Sequence, residues 1–399
     1  MIKIQKADIK HKKDIKNLYQ KVYGSFYSLP EVQDDELMEE ILSGVSKLSK
    51  EKTDDLWVIA IDDKEIVGSL IFRVNKDISL CKAMGAIVLP EYRGKGIFKE
   101  MFEYGLNNID VDIIYALTRT ISPEPQKLLI KYDFIPLGVF PNVRRVYAYE
   151  NHGLYALIKA TAFNKRKKVE KMLPEIKNLS NILKDLMIRK FLLGIFKQEK
   201  KDYSYLESFI SEKSMIVYRE KFNIKIREAK KIDIKVINVE KEYINSIDNL
   251  RFKFFPFHKP NFKITTEFGS VFLHLNMIDK HCAIMGIDCP KEDVEKLYNL
   301  FFNIPYIVDK LDARYLEIIS IALNHTNHSI LLDNGFIPAA YFPCLIPEKN
   351  QRADAVVFFY PYNLPHFKNM FVPDDFKPYI KYVYSMIIRK INEELETNL

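Results

Sequence analysis

The stretch Val88-Leu89-Pro90-Glu91-Tyr92-Arg93-Gly94-Lys95-Gly96-Ile97-Phe98-Lys99-Glu100-Met101 holds the residues of this chain best placed to do chemistry. It reads as a strand end, a basic glycine loop and a helix start. Two glycines with a lysine between them let the backbone turn tightly. Successive N–H groups can then point at one anion, and the helix beginning near Gly96 adds the positive end of its dipole. The ligand expected there is a diphosphate. The spacing is neither the Gly-x-x-x-x-Gly-Lys-Ser/Thr of a nucleoside triphosphate loop nor the Gly-x-Gly-x-x-Gly of a dinucleotide loop.

The stretch resembles the Arg-x-x-Gly-x-Gly/Ala signature of the GNAT superfamily of N-acyltransferases, which bind the pyrophosphate of acyl-coenzyme A. Arg93 and Gly96 match that signature, and Phe98 replaces its last small residue. The resemblance covers about residues 1–150. It implies a co-substrate, acetyl-CoA or another acyl-CoA, held by Arg93, Gly94, Lys95, Gly96, Ile97 and Phe98. The strand Ile87, Val88 and Leu89 would bond the pantetheine arm through its backbone. Ser122 stands where such enzymes often place an asparagine at a helix start that contacts the donor.

Acyl transfer from a thioester to an amine needs a held donor, a deprotonated amine and stabilisation of the oxyanion. The glutamate that such enzymes commonly carry on the strand before the loop is missing, since Ser79 to Leu89 holds no carboxylate. Where they place a tyrosine to protonate the departing thiolate, this chain has Leu129, with Tyr132 three positions along the same helix. Tyr132, His152 and Glu124 are the catalytic candidates; His152 could act as a base near neutral pH. Tyr115 and Arg119 fall near the same strand ends. No cysteine or serine stands beside a base, so no covalent intermediate is expected, and no metal-ligand spacing such as His-Glu-x-x-His occurs.

The elements that must position these residues follow in order. Ile2 to Asp8 reads as a strand and helix cap, Ile9 to Val22 as a helix, and Asp34 to Ser49 as a charged helical stretch. Leu56 to Ile61 and Ile66 to Val74 form a hairpin around Asp62-Asp63-Lys64-Glu65, and Ala83 to Leu89 feeds the loop. A helix over 95–107, a strand over 111–117, a helix over 123–131 and a strand over 134–139 complete a mixed α/β unit. Leu154 to Ala162 and Ile182 to Phe196 look amphipathic and helical, and Pro174 should start or kink a helix.

Residues 127–141, KLLIKYDFIPLGVFP, align without gaps onto 329–343, SILLDNGFIPAAYFP. The sequence is therefore read as an α/β, mixed-sheet protein of two GNAT-like domains. The catalytic domain spans 1–150, a helical connector 151–215, a degenerate copy 216–362 and a helical tail 363–399. The copy has no glycine in Asp288-Cys289-Pro290-Lys291-Glu292-Asp293 and carries acids where a diphosphate would sit, while Asn324 keeps the asparagine lost at Ser122. The run Arg251 to His258, aromatic and basic, reads as a core strand or an acceptor-site cover.

Composition bounds the remainder. A chain of 399 residues with 48% apolar residues suits two globular domains. The net charge of +7 suits an anionic ligand without implying nucleic acid, and Lys165-Arg166-Lys167-Lys168 reads as a solvated helix face. Cys81, Cys282, Cys289 and Cys344 form no Cys-x-x-Cys pair, and the N-terminus lacks a signal-peptide run, so a soluble, cytoplasmic protein is expected, with neither nucleic acid nor membrane as partner. The acceptor would be a small-molecule or protein amine. Two alternatives remain at this point: a donor acyl group on an acyl carrier protein, or a non-catalytic module that senses CoA.

Overall fold

Residues 2–24, 27–46, 52–145, 148–193, 224–363 and 370–397 are described in the computed structural model. The expected connector beyond residue 193, the first residues of the expected 216–362 domain up to 223, and residues 364–369 of the expected tail lie outside them. The protein is mixed α/β and separates into two compact units. One comprises residues 1–117, 128–134 and 155–164, the other 118–127, 135–154 and 165–399.

The first unit opens with β1 (Lys3–Lys6) and α1 (Lys12–Tyr23). Asp8 starts the helical turn between them through a capping box: its carboxylate accepts from Lys10 N–H while His11 Nδ1 accepts from Asp8 N–H. Ile15, Leu18 and Tyr19 recur at helical spacing on the buried face of α1. Next come α2 (Pro30–Gln33), with proline in its first turn, and α3 (Asp35–Ser43), capped by Asp34 and ended by Gly44. β2 (Leu56–Asp62), β3 (Glu65–Asn75) and β4 (Leu80–Val88) form an antiparallel meander. α4 (Ile97–Asn108) buries Ile97, Met101 and Phe102, and β5 (Ile113–Arg119) runs parallel to β4. The strand order is β1-β2-β3-β4-β5.

α5 (Glu124–Lys131), β6 (Ile135–Arg145) and β7 (Tyr149–Ile158) follow. Leu154 to Ala162 is not the expected helix. Through Ile158 it is strand, with residues 151 to 156 buried on both faces, and only Ala160–Asn164 turns helical as α6. A run apolar on both faces satisfies a central strand as well as a helix, and length alone did not separate them. Pro174 starts α7 (Pro174–Leu193), as expected.

In the second unit, β8 (Ile232–Lys235), α8 (Val239–Ser246), β9 (Phe262–Thr266), β10 (Gly269–Asn276) and β11 (His281–Asp288) lead to α9 (Val294–Lys310). Then come β12 (Tyr315–Ile321), α10 (His325–Asp333), β13 (Ile337–Glu348), β14 (Gln351–Tyr360) and α11 (Lys377–Thr397). Its strands run β6-β13-β14-β12-β11-β10-β9-β8, with only β11–β12 parallel among the pairs whose register is defined. β12 and β14 match β5 and β7 residue for residue in length, at one constant offset along the chain. The run Arg251 to His258 is not a core strand: Phe252 and Phe257 take left-handed backbone angles and Pro256 lacks a donor, so only Arg251 pairs.

Candidate functional site

The glycine loop leaves β4 through a single 3-10 turn, Pro90–Tyr92, and Arg93 N–H closes it onto Pro90 C=O at 3.2 Å. Gly94 (φ +77°) and Gly96 (φ +84°) are both left-handed, a region that side chains disfavour, so glycine is needed for the path itself. A Cβ at either would meet nothing within 4 Å; the space before them is open. Gly96 is the N-cap of α4 and no side chain caps that helix. The first amides of α4 therefore face solvent with the helix dipole behind them, the arrangement that favours an anion.

Side chains around the loop are held by the unit's own contacts. Ile97 is buried beneath it. Phe98, half-buried, lies with its ring 6.1 Å from Phe102, which in turn packs on Phe134 at 5.7 Å. A bulky residue at this position thus points into the helix–sheet core. Lys95 Nζ sits 4.5 Å from the Tyr92 ring, whose hydroxyl donates to Asp62 at 3.0 Å.

Beside the loop, β4 is built to turn backbone groups away from both neighbouring strands. It pairs with β5 only from Leu80↔Ile113 to Ala83↔Ala116, so its second half separates from β5. On its other side, the register against β3 slips between Ser69↔Ile87 and Ile71↔Met84, a bulge at Gly85 (φ +66°) and Ala86. Leu89 N–H bonds Val67 C=O at 2.9 Å. Antiparallel ladders alternate, so Val88, one residue back, turns its N–H and C=O away from β3, and Arg93 Nε reaches that carbonyl at 3.2 Å. Of the three expected strand contacts, Val88 is the one whose backbone faces outward, while Leu89 N–H is committed within the sheet.

Tyr19 ties the bulge to α1. Its hydroxyl donates to Gly85 C=O and lies 3.3 Å from Ser69 Oγ, which accepts from Trp57 Nε1 at 2.7 Å. Neither Tyr19 nor Gly85 was singled out from the sequence, although a glycine inside a strand is a recognised sign of a bulge. Behind them, Arg73 bridges the buried Glu31 (2.9 Å) and Asp55 (3.0 Å).

The catalytic candidates are placed as follows. Tyr132 donates to Glu103 of α4 and packs on Phe102; burial and that carboxylate push its phenol up to about 12. Ser122, in the second unit, donates to the exposed Glu124, and this bond lowers the Glu124 pKa. His152 is buried with Nε2 unbonded, 3.6 Å from Glu150, and burial keeps its pKa below the usual histidine value. Burial would raise Glu150, but His152 and the two-pronged contact from Arg119 hold it down at about 2. Tyr115 is a buried residue of β5.

The second unit contains a comparable edge that is already filled. β11 has only three parallel pairs with β12 and a bulge against β10, and Tyr243 of α8 donates to Met285 C=O there. Beyond the bulge, Ile287 exchanges both main-chain bonds with Arg251, at 2.8 and 2.9 Å. Leu250 and Tyr243 occupy the space over Gly286. The Arg251 guanidinium reaches Pro290 C=O, Lys291 C=O and Asn327 Oδ1, and Asp293 caps α9 by accepting from Lys296 N–H. Where α4 offers free amides, α9 carries its own carboxylate. Among the described residues no cluster of potential metal ligands occurs, and no helix is long and apolar enough to cross a membrane.

No protein-family model matches this chain, and no curated sequence does. Among solved structures it is similar to the acetyltransferase of the GNAT family from Streptococcus pneumoniae, at 12% identity and TM-score 0.34 over 40% of this chain and all of that one. It is similar also to NAA60 of Arabidopsis thaliana in complex with a bisubstrate analogue (12%, TM-score 0.33, 40% and 99% covered). A further similarity is to the ribosomal-protein-S18-alanine N-acetyltransferase of Escherichia coli (13%, TM-score 0.32, 40% and 94% covered).

Proposed function

We propose that the first unit binds an acyl-CoA, with acetyl-CoA the first choice, and passes its acyl group to an amine by direct attack. The observation that carries this reading is the uncapped start of α4 behind two left-handed glycines, next to a strand edge whose backbone faces outward. A diphosphate would take the amides of Gly94 to Ile97, with Arg93 and Lys95 supplying positive charge. The pantetheine amides would lie along Val88, and backbone donors there would polarise the thioester carbonyl.

For the proton, burial holds His152 neutral, the form a general base requires. The Tyr132 hydroxyl donates its hydrogen bond to Glu103 and suits a packing role better than that of thiolate acid. An amine that arrives neutral, or loses its proton through water, needs neither. The later part of the chain reads as a second copy of the same architecture with its donor edge closed by Arg251 and its helix start closed by Asp293.

Incubating the protein with acetyl-CoA and a panel of amines, and following free thiol, tests the reading. Amine-dependent thiol release supports it. Binding without turnover on any amine favours a CoA sensor, and release only from an acylated carrier protein moves the donor to that protein.

A further inference from the structure

We infer that Tyr19 is a positioning residue for the thioester arm of the donor, acting through the β4 bulge; this rests on the donor reading above. The bulge takes Gly85 out of the β3–β4 register and leaves its C=O partly buried. A buried carbonyl without a partner is costly, so the bulge persists only if some group supplies a donor. Tyr19 is that group. It is 1% exposed, its ring lies 4.7 Å from that of Tyr27, and its hydroxyl is set by the chain Trp57 Nε1 to Ser69 Oγ.

The consequence falls two to three residues further on. A bulge changes the side of the strand on which each later residue presents its N–H and C=O. With the bulge in place, Val88 faces outward; without it, the alternation past Gly85 shifts by one residue and Val88 turns toward β3. Tyr19 thereby decides which backbone groups meet the arm, while the loop from Gly94 to Ile97 lies beyond the bulge and takes the diphosphate independently. The second unit joins the same three features. There a helix tyrosine, Tyr243, holds the bulge at Met285, and the strand edge past it takes one residue of the chain, Arg251, through both groups of Ile287.

The experiment compares two ligands by calorimetry: coenzyme A, which carries the amide arm, and 3′-phospho-ADP, which has the same nucleotide and diphosphate without it. In Tyr19→Phe, affinity for coenzyme A is expected to fall about five- to tenfold, the worth of one hydrogen bond, with 3′-phospho-ADP unchanged. Ser69→Ala, which loosens the far end of the same chain, should give the same split at smaller amplitude and stands in if Tyr19→Phe fails to fold. Tyr243→Phe removes the matching bond in the second unit and should change neither affinity. Equal losses for both ligands in Tyr19→Phe, or no loss for either, would overturn the inference. Wild-type protein binding neither ligand would refute the donor reading itself, and this inference with it.

Discussion

Arg251 and Ile287 are bonded to each other through both of their main-chain groups, N–H to C=O in each direction, at 2.8 and 2.9 Å. An edge of β11 that could otherwise accept a ligand is thus filled by the chain itself. One donor per chain should bind, and calorimetry with coenzyme A should give a stoichiometry of one. Two equivalent sites would mean that the Arg251 segment is displaced.

Gly96→Asp should remove donor binding and leave the fold intact. The added Cβ meets no protein atom within 4 Å, and the left-handed backbone costs roughly 1 kcal/mol, least for Asn or Asp. The carboxylate, however, would occupy the free end of the α4 dipole. A loss of at least about tenfold in coenzyme A affinity is expected from a negative charge placed there. Gly96→Ala carries the strain without the charge and should lose less; equal losses would assign the effect to backbone shape.

Tyr132→Phe separates packing from acid catalysis. The hydroxyl is engaged with Glu103, so its removal should cost about 1 kcal/mol of stability and change kcat less than about tenfold. A fall in kcat of about a hundredfold or more in a folded variant would instead make Tyr132 the thiolate acid.

Acid should destabilise the second unit through its buried histidines. His328 is fully buried in α10 with neither ring nitrogen bonded, and burial, with the charge of nearby His325, lowers its pKa from 6.5 to about 3. Above pH 6.5 the ring is neutral in both folded and unfolded chains and contributes no pH dependence. Below it, only the unfolded chain takes up the proton, so stability falls as pH drops toward 3, by up to about 1.4 kcal/mol per unit. His152 acts in the same direction. Urea unfolding at pH 7.5 and pH 5 should show a smaller loss in His328→Leu than in the wild type; an identical loss would place the acid sensitivity elsewhere.

The loop from Arg93 to Ile97 was legible in the sequence because its chemistry is local: two glycines, two cations and a helix start lie within a few residues. The order of strands and helices to residue 145 was legible for the same reason, the elements carrying their own apolar periods and turn residues. What escaped was set by partners distant in the chain. Tyr19 meets Gly85 only after α1 folds onto β3 and β4, and Arg251 meets Ile287 only once β11 has parted from β12. Leu154 to Ala156, buried on both faces, carry no alternation to distinguish strand from helix. The role of Ser122 rested on a family likeness and those of Glu124 and His152 on their places near strand ends; their partners, Glu124 for Ser122 and Glu150 for His152, are set by the folded chain.

The most direct measurement is a crystal structure of the protein soaked with acetyl-CoA. The account predicts diphosphate oxygens at about 2.7–3.2 Å from the amides of Gly94 to Ile97, with the pantetheine arm running along Val88. A diphosphate bound elsewhere, with those amides still facing solvent, would contradict it.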